Sequence, residues 1–315
     1  MTSPPKVDSS SSSNDKAPDL RTLCHTYGIR FKKGLGQNLL LDDNINRIMV
    51  DAASLSEADD VIEVGAGLGA LTHRLCRHAG RLLSVEIDAS FMPCLEDQFG
   101  DRSNVRLFRG DILNHPVKKI TEEFLPGGQS YKLVSNLPYY ITTPILFHFL
   151  ESEVFFNRLV VMMQIEVGQR LVAPVGASNY GTLALAAQCY AEVDLVHRVP
   201  ATCFLPRPKV DSSIVRFRCR PVGEEEKADQ ALFMQIVRAG FEQRRKTLRN
   251  TLARSGRLGM PEDMVLDAMD VAKIDPTRRA QSLHFDEFSL LAQEIKLRRA
   301  QIGESETETN AELSP

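Results

Sequence analysis

Apolar and polar positions change period several times along the chain, and the changes divide it. In residues 42–53, Ile45, Ile48 and Met49 recur at helical spacing. A basic lead-in (Arg30, Lys32, Lys33) and a glycine turn at Gly34 and Gly36 precede them. From Asp60 onward, short apolar runs alternate with helical spacing. Val61-Ile62-Glu63-Val64 predicts a strand, and Leu71 and Leu75 predict the helix after it. Leu82-Leu83-Ser84-Val85, Val105-Arg106-Leu107-Phe108, residues 131–134 and Leu159-Val160-Val161-Met162-Met163 predict four further strands. Strands in alternation with helices argue for a parallel sheet covered by helices. Past Pro200 a proline-stiffened loop, residues 204–213, runs into alternating Val215, Phe217 and Cys219, the last predicted strand. Beyond a charged linker at residues 221–227, the segments 228–241, 245–255, 261–271 and 285–299 predict helices. The expected organisation is a disordered tail (1–19), a Rossmann-like sheet domain (20–221), a small C-terminal all-helical domain (222–302) and an acidic disordered tail (303–315).

Composition narrows this picture. The chain has 315 residues, 43% of them apolar, enough for a large packed core. Its net charge of −3 carries no hint of a partner, so the distribution of charge has to be read instead. The six cysteines form no C-x-x-C pair and sit near no histidine cluster, which argues against a zinc site and a disulfide framework; no metal is expected. No apolar run approaches membrane-spanning length and the N-terminus lacks an apolar signal core, so no membrane partner and a cytoplasmic location are expected.

The candidate chemistry lies at strand ends. Gly65-Ala66-Gly67-Leu68-Gly69 occupies a strand-to-helix turn, where glycines admit a ligand close to the backbone and a helix N-terminus adds donors. Glu86, 21 residues after Gly65, ends the next strand, where a carboxylate can take both hydroxyls of a ribose. With Ala70 at the third small position, the stretch also satisfies a dinucleotide fingerprint, so NAD and S-adenosylmethionine both remain open there. Asp111 follows the third strand and suits an adenine amine. Asn136-Leu137-Pro138-Tyr139 follows the fourth: an amide acceptor, a stiff proline turn and an aromatic ring that can stack on a base. Three successive strand ends holding ribose, adenine and a reactive centre match a methyltransferase better than a dehydrogenase.

These residues also carry a resemblance. The stretches 35–40 (Leu-Gly-Gln-Asn-Leu-Leu), 61–72, 86–88, 110–111, 136–139, 204–213, 243–250 and 279–283 resemble the ribosomal RNA adenine dimethyltransferases, and within them the small-subunit branch. The resemblance implies an S-adenosylmethionine site lined by Asn38, Leu40, Gly65, Glu86, Asp111 and Asn136. It also implies a target adenine met by Asn136, Leu137 and Tyr139, with Phe204 closing over it. Leu39 departs from the pattern, since relatives commonly carry Phe there. The implied activity is dimethylation of two adjacent adenosines in a small-subunit rRNA loop by a monomer. The alternatives are the large-subunit, antibiotic-resistance branch, a non-catalytic ribosome assembly factor and an NAD-dependent oxidoreductase. Arg244, Arg245, Lys246 and Arg249 crowd one helical stretch with almost no acidic residue interleaved, and are expected to grip the RNA backbone.

Overall fold

The structure, a computed structural model, describes residues 19–312. Most of the expected tail at residues 1–19 therefore lies outside the described residues, as do residues 313–315. The chain forms two compact units, one comprising residues up to 168 and 193–219, the other residues 169–192 and 220 onward.

In the first unit the elements run α1 (Leu20–Thr26), β1 (Leu39–Leu40), α2 (Asp43–Ala53), β2 (Asp60–Val64), α3 (Ala70–His78), β3 (Arg81–Glu86), α4 (Met92–Phe99), β4 (Val105–Arg109), α5 (Val117–Phe124), β5 (Tyr131–Asn136), α6 (Thr142–Leu150) and β6 (Phe156–Gln164). Helix α7 (Ile165–Leu171) leaves this unit, and α8 (Thr182–Gln188) belongs to the second. Strand β7 (Ala191–Val199) leads back, followed by β8 (Phe204–Leu205) and β9 (Ser212–Cys219). Seven strands form one sheet in the order β4-β3-β2-β5-β6-β9-β7. The first five are parallel, and β9 joins β6 antiparallel, Val215 opposite Val161. The parallel strands read as unbroken apolar runs because both faces are covered: Val61, Ile62, Leu82, Leu83, Leu133, Val134, Val160 and Val161 are fully buried.

The order of the sheet places the site. From β2 the chain steps outward through β3 to β4, then returns to the other side of β2 with β5. Open α/β sheets bind ligands in the crevice at such a reversal. Here the crevice is opened by a splay of the two strands. Ladder pairing of β2 with β5 ends at Ile62 opposite Leu133. Beyond it the Val64 N–H donates to the Ser135 side-chain oxygen at 2.8 Å. The hydroxyl satisfies a buried backbone donor while the strands separate towards Gly65 and Asn136.

The second unit adds α9 (Glu224–Phe241), α10 (Glu262–Val271) and α11 (Phe285–Glu312). Its core gathers Tyr180, Phe233, Ile236, Leu252, Met269, Phe288, Leu291 and Ile295, and the Tyr180 hydroxyl donates to the Leu283 carbonyl at 2.9 Å. Several expectations need correction here. The helical unit does not begin at residue 222: residues 169–192 already belong to it, because Tyr180, Ala184, Leu185 and Cys189 bury their apolar surface in its core. The stretch 245–255 is not one α-helix but a turn followed by a π-helical segment at residues 249–253. Residues 303–312, expected as a loose tail, continue α11. Glutamate is a good helix former, and a helix nucleated by packed residues propagates cheaply.

Candidate active site

The cleft at the splay is lined by the glycine turn, by Asn38, Leu39 and Leu40, by Glu63 and Glu86, by Asp111, and by the turn Asn136-Leu137-Pro138-Tyr139. Every residue expected at the cofactor site is in that wall. So are Asn136, Leu137 and Tyr139, expected at the target base.

Strand β3 delivers Glu86, which is 4% exposed. One of its carboxylate oxygens accepts the Gly67 N–H and the other the Asp88 N–H, each at 2.8 Å. Burial raises its pKa, and the two N–H groups work against that rise. A carboxylate has about four lone-pair sites, so capacity remains for further donors. The glycine turn achieves this approach through left-handed φ values of +80°, +59° and +85° at Gly65, Gly67 and Gly69, conformations glycine adopts without steric cost. Leu39 packs directly on this turn: a Cβ on Gly67 would lie 3.3 Å from a Leu39 methyl. The departure from Phe at position 39 thus falls on the cleft wall itself. Asp111 caps the short turn at Ile112–Asn114 with one carboxylate oxygen, which accepts the Leu113 N–H at 3.0 Å.

At the other end, the Leu137 N–H donates to the Met162 carbonyl at 3.1 Å, and the Thr142 hydroxyl and Ile141 N–H both donate to the Pro138 carbonyl. These bonds hold the turn rigidly. Among the described residues none is made to the Asn136 side-chain oxygen or to the Leu137 carbonyl. Two acceptors on successive residues of the cleft wall are therefore left without partners among the described residues. The Tyr139 hydroxyl shares a 2.6 Å hydrogen bond with the Ser212 hydroxyl. Burial raises the tyrosine pKa, partly offset by this bond.

Phe204 is the exception. It is 3% exposed and sits in the core with Val199 and Ile214, not in the cleft wall. In the β1–β8 ribbon it pairs with Leu40. Its ring thus backs a cleft residue instead of closing over a base. In the second unit the expected RNA-binding group also divides. A guanidinium nitrogen of Arg244 donates to the Tyr180 carbonyl at 2.7 Å, and Arg249 pairs with Glu262 at 2.9 Å. Glu262 also takes Arg254, and Glu242 takes Arg257. All four are exposed, and of them only Arg245 and Lys246 have side chains with no hydrogen bond or ion pair among the described residues.

Glu63, Gln37, Asp88 and Tyr140 were not foreseen. Glu63 is 1% exposed. Both the Thr72 and Ser84 hydroxyls donate to one of its oxygens, at 2.6 and 2.8 Å. Burial pushes its carboxyl up to about 7. An acid inside a short apolar strand run was its only sequence signal.

The cleft wall carries acidic groups. Among the described residues Glu63, Glu86 and Asp111 line it, and no Lys, Arg or His does. A sulfonium with an ammonium group suits it. Fold and site together define an S-adenosylmethionine-dependent methyltransferase.

The family model of ribosomal RNA adenine dimethylase matches residues 28–295. The chain belongs to that family, and is accordingly an enzyme that methylates rRNA adenine with S-adenosylmethionine as donor. It is 42% identical over 281 residues to the ribosomal RNA small subunit methyltransferase A of Bacillus mycoides (strain KBAB4) and of Bacillus cereus (strain B4264), covering 89% of this chain and 96% of theirs. Among solved structures it is similar to a dimethyladenosine transferase from Plasmodium falciparum, with a TM-score of 0.68, 25% identity, and 82% of this chain and 97% of that one covered. The 23S rRNA methyltransferase ErmE shares the fold, with a TM-score of 0.63, 24% identity, and 82% and 99% coverage.

Proposed function

We propose that this chain dimethylates two adjacent adenosines in a loop near the 3′ end of small-subunit rRNA during small-subunit biogenesis, acting as a cytoplasmic monomer. The observation that carries the chemistry is the pair of acceptors, Asn136 Oδ1 and the Leu137 carbonyl, that have no partner among the described residues and lie in the wall of the cleft with Glu86 and Asp111. The small-subunit assignment is supported by relatives at 42% identity that bear that name.

The cleft residues fit S-adenosylmethionine. Glu86 would hold the ribose hydroxyls, Asp111 the adenine amine, and the glycine turn with Asn38 and Leu40 the remainder. When bound, the cofactor supplies an activated methyl group on a cationic sulfur. The chain's own work is to present the other reactant. An adenine amine is a weak nucleophile because its lone pair is delocalised into the ring. Donation of its N–H groups to Asn136 Oδ1 and the Leu137 carbonyl favours the geometry in which that lone pair is localised. The Tyr139 ring offers a stacking face for a base turned out of its helix. Positioning then supplies most of the acceleration. Once the amine carries one methyl it satisfies only one acceptor, so the second transfer relies on a single hydrogen bond. Arg245 and Lys246 would contact the RNA backbone.

The test is methyl transfer to small-subunit particles from cells lacking the corresponding gene, with the modified positions mapped by mass spectrometry. Two adjacent dimethylated adenosines near the 3′ end are expected. Modification of large-subunit rRNA instead would overturn the assignment.

A further inference from the structure

Asp88 is not part of the cleft wall, yet its carboxylate has no solvent exposure. Four donors converge on it. The Ser90 N–H and hydroxyl are local, at 3.0 and 2.8 Å. They would suffice to cap the loop after β3. The other two come from far back in the chain: the Lys32 ammonium at 2.7 Å and the Gln37 side-chain N–H at 2.6 Å. The Gln37 side-chain oxygen in turn accepts the Lys32 N–H at 2.8 Å. Residues 32–37 are thereby closed into a ring around one buried carboxylate. The backbone N–H of Asp88 donates to Glu86, so this ring is fastened to the carboxylate at the cofactor end of the cleft.

The next residues of the same segment reach the other end. The Asn136 amide N–H donates to the Asn38 carbonyl at 3.4 Å. The Tyr140 ring, 53% exposed, lies over Gly36 so closely that a Cβ there would sit 3.0 Å from a ring carbon. Gly36 has φ of +59°, so the segment both bends and yields space at that point.

We infer that Asp88 is a positioning residue, which holds residues 32–38 as a strap across the cleft and so couples the cofactor end at Glu86 to the acceptor turn at Asn136. The inference rests on the reading of the cleft given above, and deepens it. An ordinary capping role for Asp88 needs only Ser90. A strap requires the Lys32 and Gln37 arms, and requires ligand binding at one end to be felt along the whole segment.

The experiment uses the full chain, as wild type and as Asp88→Asn, Gln37→Ala, Lys32→Met and the Asp88→Asn/Gln37→Ala double variant. The amide in Asp88→Asn keeps an oxygen for Ser90 but turns donors towards Gln37. Lys32 is 55% exposed at its side chain, so Lys32→Met tests the same link without disturbing a core. Three quantities are measured: S-adenosylmethionine affinity by calorimetry, kcat on small-subunit particles at saturating cofactor, and tryptic cleavage after Lys32 with and without cofactor. Failure of the wild type to bind S-adenosylmethionine would refute the reading of the cleft itself. If it binds, each single variant should lose about tenfold in affinity, the order of one lost charge-assisted hydrogen bond, and should lose kcat as well. The double variant should be no worse than its worse parent, as members of one unit behave. Cofactor should slow cleavage after Lys32 in the wild type far more than in Asp88→Asn or Gln37→Ala. Additive losses in the double variant, unchanged kcat, or cofactor protection that persists fully in Asp88→Asn would each overturn the strap.

Discussion

The side-chain amide of Asn136 donates its N–H to the backbone carbonyl of Asn38 at 3.4 Å. This contact engages the amide N–H and leaves its oxygen without a partner among the described residues. Asn136→Ala removes both functions. Methyl transfer should fall about a hundredfold, in line with deletion of one preorganised polar group at a reacting centre. Cofactor affinity should fall far less. Single-turnover transfer and calorimetry on the same preparation check this. Equal losses in both would place Asn136 at the cofactor and not at the amine.

Glu86 should govern cofactor affinity. Its carboxylate is buried and already takes two backbone donors. Loss of the charge-assisted bonds to a ribose diol in Glu86→Ala should cost on the order of 2–4 kcal/mol of binding. Calorimetry on a folded variant, verified by circular dichroism, provides the test; unchanged affinity would remove Glu86 from the cofactor site.

The Tyr139 hydroxyl has a partner in the fully buried Ser212. In Tyr139→Phe the stacking ring survives and transfer should largely persist. The orphaned Ser212 hydroxyl should cost about 1–3 kcal/mol of stability. Adding Ser212→Ala removes both partners and should restore much of that loss, which urea unfolding of the three variants would show. Tyr139→Ala should lose transfer. If Tyr139→Phe is as inactive as Tyr139→Ala, the hydroxyl and not the ring carries the function.

Glu63 should make stability depend on pH. Burial holds its carboxyl at about 7 in the folded protein, above the ordinary value of 4.5. Below pH 4.5 it is protonated folded or unfolded, and no penalty arises. As pH rises from 4.5 to 7 the unfolded chain releases its proton first, so stability falls. Above pH 7 the full penalty stands, on the order of 3 kcal/mol. Glu63→Gln keeps an oxygen for Thr72 and Ser84 and should stabilise the protein at pH 8 while changing little at pH 4.5. Melting temperatures across that range, wild type against variant, decide; parallel curves would show that Glu63 stays ionised.

Much of this site was legible in the chain because strands set it locally. A strand that ends at or just before Gly65, Glu86, Asp111 or Asn136 delivers that residue to the same edge of a parallel sheet, whatever the rest does. What escaped depends on contacts between distant segments. Phe204 stands in a motif that suggests a base, but its pairing with Leu40 turns its ring into the core. Lys32 and Asp88 carry no signal of each other across 56 residues. The excursion at residues 169–192 was hidden because α8 is flanked by strands, and only the packing of Tyr180 and Leu185 assigns it to the helical unit. The ion pair inside the basic cluster escaped for the same reason: Glu262 is 13 residues from Arg249 in the chain and 2.9 Å away in space.

That pairing sharpens the last prediction. Of the four basic residues expected on RNA, Arg244 is fastened to Tyr180 and Arg249 to Glu262, while Arg245 and Lys246 are exposed and without a side-chain partner among the described residues. Arg245→Glu with Lys246→Glu should leave folding and cofactor binding intact and weaken binding to small-subunit particles. Phosphate contacts make log affinity fall with log salt by roughly 0.7 to 0.9 per contact neutralised, so the slope should become shallower by roughly 1.4 to 1.8. Arg249→Glu is the contrasting case. It places a second carboxylate beside Glu262 and should lower the melting temperature, with little change in the salt slope. Binding measured from low to moderate salt, together with melting curves, separates the two roles. An unchanged slope in the Arg245→Glu/Lys246→Glu variant would reject phosphate contact at these residues. A slope altered by Arg249→Glu would show that the Arg249–Glu262 pair opens to engage RNA.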